Sequence, residues 1–433
     1  MHASDLHLDA PLGNLGMLEK KLRDHLSEIA EEAWDRLVQL CIKEEASFLV
    51  LAGDVFHDAA ASVRAQTRLY EGLERLIDND VRVFICHGNH DPLNKDRRPI
   101  GDLPRGVERF EPGEPQSFPV ELRSSGDLVQ VSGVSYGHRE EDKNLALDFH
   151  RVNRRSGTVA HIAVLHANVG PLGGHKNYSP CTREDLAATS TVDYWALGHI
   201  HKRTPLRLPN GSRAEYCGNL QGRSFKPAEC EPKGALVVPI EDGRVGEPRL
   251  EHCDTVRFVR SEVFVEPQDS VTTVRAKIKE EASKLGARNS GRAVAWKMLL
   301  TGSNRDPAQL REDFREGTVP DGMARELSER LNDGGLCDVA FSVRPDERER
   351  ILAEGDLRAE VLEALKEFST ATGTDDSVVR GTNALLLDGL PTPGLKREWQ
   401  QMLDESSEFM DEVIALAEQL LWDTFANAPG EVW

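Results

Sequence analysis

The chain has 433 residues, of which 39% are hydrophobic and 29% charged, and its formal net charge is −20. That length exceeds one ordinary core, so two or three domains of a soluble, globular protein are expected. The charge excludes a generic electrostatic binder of nucleic acid, and no apolar run approaches the ~20 residues that span a bilayer.

The N-terminal stretch "MHASDLHLDAP" has no basic start followed by an apolar core, so no export signal is expected. Only "MHAS" precedes Asp5, so a first strand is short, little more than His2 to Ser4, unless the true start lies upstream. An amphipathic helix is expected over 25–46, where Leu26, Ile29, Ala30, Ala33, Leu37, Leu40 and Cys41 fall at helical spacing. "SFLVLAG" (47–53) then reads as a buried strand, 62–79 as a second helix and "VRVFICHG" (81–88) as another strand. Residues 92–130 are rich in Pro and Gly and read as an irregular excursion. Strands are expected again at "VQVSGVSYG" (129–137), "HIAVLHA" (161–167), "VDYWALGH" (192–199) and "GALVVPIEDGRV" (234–245), the last with a turn at Asp242–Gly243. Alternation of strands and helices implies an α/β core.

The character changes near residue 255. All 14 histidines lie at or before His252, so imidazole chemistry is confined to the first part. Two domains are therefore expected, 1–254 and 255–433. In the second, "VRFVRSEVFVE", "AVAWKMLLTG" and "CDVAFSVRP" read as strands and about 395–425 as a long helix. Cys41, Cys86, Cys181, Cys217, Cys230, Cys253 and Cys337 form no C-x-x-C pair, which points to reduced thiols in a cytoplasm.

The chemistry lies where the apolar runs stop. The first ends in Asp5 and His7, the next in Asp54 and His57, and the third in Asn89, His90 and Asp91. Later runs end in His166 and in the pair His199 and His201. In open α/β sheets the C-terminal strand edge is where ligands bind. Singly each group has a bland reading as a polar strand exit; five such exits together do not. In extended chain, residues i and i+2 point the same way, so D-x-H and G-H-x-H can aim both side chains at one site. Carboxylates, an amide and imidazoles without Cys suit Mn²⁺, Fe²⁺ or Zn²⁺, and a shared carboxylate suits a two-metal site for attack on phosphate.

The ordered set D-x-H, G-D-x-x-H, G-N-H-D, a single later His and G-H-x-H resembles the calcineurin-like metallophosphoesterases. "ASDLHLD", "GDVFHD", "LHANVG", "DYWALGHIHKR" and "GNLQGR" are similar to SbcD-type DNA repair exonuclease subunits of the YhaO-like branch. The resemblance covers residues 1 to about 245. It implies a two-sheet α/β/β/α sandwich followed by a smaller α+β capping domain. It further implies two divalent ions, Mn²⁺ first, with Asp5, His7 and His201 on one, Asn89, His166 and His199 on the other, and Asp54 on both. His90 would stabilise charge or protonate the leaving oxygen, oriented by Asp91, and His57 would touch the substrate phosphate. The implied activity is hydrolysis of DNA ends, as exonuclease and endonuclease. The rivals are a phosphatase or small-molecule phosphodiesterase, which the acidic charge favours, and an inactive scaffold for an ATPase.

Weaker signals concern partners. Lys202, Arg203, Arg223 and Lys226 follow motif residues and either meet a DNA backbone or form a solvated basic face. Tyr178 either stacks on a base or packs in the core. His87 and His175 are not expected to be ligands. From Met402 to Phe425 the apolar residues fall at helical spacing, and no Lys or Arg follows Arg397. That amphipathic, acidic helix either packs on the cap or docks on an SbcC-like coiled-coil ATPase. DNA, that ATPase and a second copy of the chain in a homodimer are the partners considered, with no membrane.

Overall fold

The computed structural model describes residues 1–10, 28–58, 61–93, 103–170, 178–314 and 323–345. The helix expected over 395–425 and His175 lie outside these residues. Met1–Gly302 with Pro307–Val343 make one compact unit; Ser303–Asp306 with Arg344–Trp433 make another, nearly all of it outside the described residues.

The chain begins with β1 (His2–Ala3), α1 (Ile29–Lys43), β2 (Phe48–Ala52), α2 (Val63–Asp78), β3 (Arg82–Cys86) and β4 (Val107–Arg109). Then come β5 (Gln116–Glu121), β6 (Leu128–Gly133), β7 (Thr158–His166), α3 (Arg183–Ala188), β8 (Tyr194–Gly198), β9 (Thr204–Arg207) and β10 (Arg213–Tyr216). β11 (Gly234–Val237), the hairpin β12 (Ile240–Glu241) and β13 (Arg244–Val245), and β14 (Arg249–His252) follow. The hairpin turns at Asp242 and Gly243, both at positive φ, as its Asp-Gly pair demands. The expected excursion over 92–130 is partly regular: β4, β5 and the start of β6 lie in it. Pairing with β3 and β6, not local propensity, makes these strands.

Two six-stranded sheets result, ordered β14-β11-β1-β2-β3-β4 and β5-β6-β7-β8-β10-β9. β1, β2, β3 and β4 are parallel neighbours, as are β6, β7, β8 and β10. Side-chain alternation explains why all of β2 is buried. Leu49 and Leu51 join Trp34, Leu37, Val38, Cys41, Leu69 and Leu73 beneath the helices. Phe48, Val50 and Ala52 join Val131, Ile162, Val164 and Ala196 between the sheets. On the far side Trp195 and Leu197 pack with Phe149 and Leu186. These layers form the two-sheet α/β sandwich. The stripe of α1 differs in detail from expectation: Trp34 and Val38 are buried, while Leu40 is only half-buried.

A third core lies on β15 (Val256–Val265), α4 (Val271–Arg288), β16 (Ala293–Asn304), α5 (Pro307–Asp313), α6 (Ala324–Arg330) and β17 (Gly335–Pro345). Its three strands form a separate sheet in the order β15-β16-β17. Fully buried Asp254 accepts from Arg257 Nε at 2.6 Å and from Arg292 Nε at 2.9 Å where this sheet begins. Gln221 also bridges to it, donating to the Val256 carbonyl at 2.7 Å and accepting from Thr255 N at 2.9 Å.

β1 is as short as its sequence suggests, while its neighbours β2 and β11 run on past it. Beyond Met1 a cavity of about 400 Å³ is lined by Phe48, Tyr194, Val237, Val238 and Ile240. The buried Met1 amine donates to the Phe48 carbonyl at 2.8 Å, and burial lowers its pKa. An engineered extension of three or four apolar residues is expected to continue β1 into this space and replace a buried amine by an amide. The melting temperature should rise by roughly several degrees; an unchanged value in calorimetry means the two-residue strand already suffices.

Two histidines outside the strand-end cluster tie stability to pH. His161 lies between Ser132 Oγ at 2.7 Å and the Thr191 carbonyl at 3.1 Å, and burial lowers its pKa to about 4. His2, between Tyr194 and Leu197, is lowered by burial to about 3. Both are neutral when folded and take up protons more readily when unfolded. Their stabilisation is present above the unfolded pKa near 6.5 and is lost as pH falls towards 4 and 3. For His161 the loss is about 3 kcal/mol. Urea unfolding between pH 7.5 and 4 should show this slope, and His161→Gln should reduce it.

Candidate active site

The five strand-end groups meet at one edge of the sandwich. Asp5 and His7 follow β1, Asp54 and His57 follow β2, Asn89 and His90 follow β3, His166 ends β7, and His199 and His201 follow β8. The loops after β1 and β2 run side by side: Asp5 N donates to the Gly53 carbonyl and His7 N to the Asp54 carbonyl, both at 3.0 Å. Convergence of Asp5 and His7 does not come from strand alternation, as the spacing suggested. Their φ values are +51° and +46°, and Asp54 (+51°) and His199 (+102°) are likewise left-handed. The side chains are gathered by irregular backbone beyond the strands.

Crowding dictates the glycines between strand and ligand. A Cβ on Gly53, at φ +94°, would sit 2.2 Å from His166 Nδ1. One on Gly88 would sit 2.4 Å from Asp54 Oδ1. The turn that the apolar run 47–52 makes at Gly53 therefore exists to let two loops and an imidazole share one small volume.

His7 Nε2 is 3.1 Å from His201 Nε2, 4.0 Å from Asp5 Oδ1 and 3.9 Å from Asp54 Oδ2. His166 Nε2 is 3.4 Å from Asp54 Oδ2 and 3.1 Å from Asn89 Oδ1. His199 is buried, its ring 5.3 Å from that of His166 and its backbone N–H donating to the Asp5 carboxylate. Asp54 Oδ1 also accepts from His90 N at 2.9 Å. Among the described residues, three groups have donor atoms mutually within 4.8 Å: Asp5, His7, His201; Asp5, Asp54, His166; and His7, His57, His90.

These residues fit divalent cations on donor chemistry. His166 Nδ1–H donates to the Ala52 carbonyl at 3.0 Å, and His201 Nδ1–H to Glu229 Oε1 at 2.7 Å. Each turns the ring so that Nε2 faces the cluster, the usual support for a metal-binding imidazole. Facing imidazole nitrogens 3.1 Å apart, beside two carboxylates, are arranged for something positive to come between them. Burial opposes charge on Asp54 and His166, but each answers the other. The pair leaves Asp54 well below the ordinary carboxylate range and raises His166 to about 9. Burial and the nearby Arg223 guanidinium hold His7 well below its usual value and take His57 down to about 4.

His90 and His57 flank this cluster. Their rings stack at 5.0 Å, and the His90 ring meets His7 edge-on at 4.8 Å. Asp91 does not orient His90. The His57 carbonyl does, accepting from His90 Nδ1 at 2.8 Å. Asp91 is fully buried behind the loops, accepting from Val55 N, Phe56 N, Gly88 N and His87 Nδ1. Adjacency in sequence misled here, because the turn at 88–91 sends consecutive side chains opposite ways. His87 is this carboxylate's partner, and Tyr178 packs in the second core beside His199.

Glu229 escaped the sequence reading. It lies 28 residues beyond His201 on no strand end, and only the general need of an imidazole ligand for a carboxylate partner pointed to one. It also accepts from Asn219 Nδ2 at 2.8 Å and Arg223 N at 3.1 Å, and with His201 beside it its pKa falls to about 2 despite burial.

Comparison with known proteins agrees with this geometry. Residues 1–203 match the family model described as calcineurin-like phosphoesterase, a span that takes in all the strand-end groups from Asp5 to His201. The chain is 32% identical over 305 residues to "Uncharacterized metallophosphoesterase YhaO" of Bacillus subtilis, covering 70% of this chain and 71% of that protein. It is 23% identical over 427 residues to "DNA double-strand break repair protein Mre11" of Methanocaldococcus jannaschii, covering 94% and 97%. The same-named protein of Sulfurisphaera tokodaii is 23% identical over 325 residues, 73% of this chain and 76% of that one. With oxygen and imidazole donors gathered at one sheet edge, the chain belongs to the calcineurin-like metallophosphoesterases, metal-dependent hydrolases of phosphate esters.

Proposed function

We propose that this protein is a two-metal phosphodiesterase that cleaves DNA phosphodiester bonds at ends. Asp5, His7 and His201 would hold one ion, Asn89, His166 and His199 the other, and Asp54 both; Mn²⁺ suits the donors, with Fe²⁺ or Zn²⁺ as competitors. Two such ions supply Lewis acidity and a nucleophile at neutral pH. The chain supplies the rest. Ala52 and Glu229 keep His166 and His201 turned with Nε2 towards the cluster. The His57 carbonyl holds His90 Nδ1–H, which leaves Nε2 to pass a proton to the leaving oxygen.

The observation that carries the DNA reading is His57, stacked on His90 at the cluster, where a phosphate oxygen would lie. The likeness to the Mre11 protein of Methanocaldococcus jannaschii over 94% of this chain supports it. A phosphatase or small-ester reading has one specific observation in its favour. Lys202 and Arg203 are engaged by Glu231 and Glu215, so positive charge near the site is largely answered internally. A Mn²⁺-dependent assay on end-labelled duplex and single-stranded DNA, beside p-nitrophenyl phosphate esters, separates the two. Cleavage of esters alone sinks the DNA reading.

A partner would supply the DNA-binding charge that a protein of net charge −20 lacks. We take the acidic, amphipathic segment after Arg397 to dock on an SbcC-like coiled-coil ATPase in the cytoplasm. Deletion of residues 395–433 is expected to spare ester hydrolysis and abolish pull-down of that ATPase. Unfolding of the truncated protein would assign the segment to the core instead. Among the described residues no helix is long and apolar enough to cross a membrane.

A further inference from the structure

The four basic residues that follow the last motifs have separate fates. Lys202 is paired with Glu231 at 2.5 Å, and Arg203 with Glu215 at 2.7 Å. Lys226 is exposed on the surface. Arg223 alone turns inward. Its Nη1 lies 3.3 Å from His57 Nδ1, and its Nε is buried without a hydrogen-bond partner. Among the described residues its guanidinium makes no ion pair with a carboxylate. Arg223 is half-buried, with Glu229, Asp5 and Asp54 acting on its charge only from beyond ion-pair distance, and its buried, unpaired Nε–H carries a cost.

The position of Arg223 is nonetheless firmly built. Its backbone N–H donates to Glu229 Oε2 at 3.1 Å, and the same carboxylate holds the His201 ring at 2.7 Å. Gln221, two residues earlier, is anchored to Thr255 and Val256. The loop therefore places a cation beside His57 in a fixed relation to a proposed ligand. Planar, always charged and forked, a guanidinium matches two oxygens of a phosphoryl group.

We propose that Arg223 is a catalytic residue that binds the non-bridging oxygens of the scissile phosphate, with phosphate esters as the substrate class. The proposal rests on the phosphoesterase reading of the cluster and not on DNA as substrate. The substrate supplies the anion that Arg223 lacks, and His57, beside it, shares the same phosphoryl group. As negative charge grows on those oxygens in the transition state, the fixed guanidinium stabilises it more than it does the ground state.

The test uses the full chain loaded with Mn²⁺, bis(p-nitrophenyl) phosphate as substrate and inorganic phosphate as the binding probe. Arg223→Gln is expected to lower kcat/KM by about 10²–10³-fold. It should weaken inhibition by inorganic phosphate at least roughly tenfold, while metal content stays at the wild-type value. Arg223→Lys should regain phosphate binding more than kcat, because it restores charge without the fork; it also carries the test if the Gln variant does not fold. Phosphate inhibition and kcat/KM within about twofold of wild type would overturn the proposal. So would loss of metal from either variant, which would make Arg223 a support for the ligands. Wild-type protein that cleaves the ester and leaves DNA intact would defeat the DNA reading and leave this one standing.

Discussion

Asp54→Ala is expected to empty both metal positions and abolish phosphoester hydrolysis, while His90→Ala keeps its ions and loses roughly 10²–10⁴-fold in rate. Asp54 reaches both sets of donors, with Oδ2 at 3.9 Å from His7 Nε2 and 3.4 Å from His166 Nε2. Its other oxygen accepts from His90 N, so the substitution also frees the loop after β3. His90 itself is held through Nδ1 by the His57 carbonyl, which suits a proton carrier. Metal counting on the purified variants decides. Two ions retained in Asp54→Ala would remove it as the bridge. An ion lost from His90→Ala would instead place His90 among the ligands, an assignment made concrete by the close grouping of His7, His57 and His90.

Asp91→Ala should injure the fold before it injures catalysis. The carboxylate is fully buried and gathers three backbone N–H groups and the His87 ring. Removing it leaves those donors unsatisfied in the interior, at a cost of about 3–5 kcal/mol. The melting temperature should fall by on the order of 10 °C. The loops carrying Asp54 and Asn89 lose their shared anchor, so metal affinity should fall with it. His87→Ala should share the thermal loss only in part. A normally stable Asp91→Ala protein with intact metal and impaired turnover would return Asp91 to a direct role in the chemistry.

Most of this site could be read from residue types at strand exits, because parallel strands deliver their C-terminal ends to one edge. Asp5, His7, Asp54, Asn89, His90, His166, His199 and His201 were all named in that way and all meet there. The strands within 92–130 were less legible. β4 and β5 are made by edge pairing in a Pro- and Gly-rich stretch, which local pattern does not report. Asp91 was placed on the wrong partner because a tight turn separates it from His90. Glu229 was invisible because its contact with His201 is made by a short, non-periodic loop. Arg223 was visible as a basic residue, but whether it faced solvent or the cluster depended on that same loop.

The left-handed backbone at Asp5, His7, Asp54 and His199 has a consequence for how this sequence can change. Such conformations cost non-glycine residues on the order of 1 kcal/mol each, with Asp and His among the types that tolerate them better. Glycine at any of these four positions would relax the backbone, and a selection for thermal stability alone would favour it. A stability-guided redesign blind to bound ions would therefore reach first for the residues that carry the chemistry. Resistance to heat and catalytic competence pull in opposite directions at these positions.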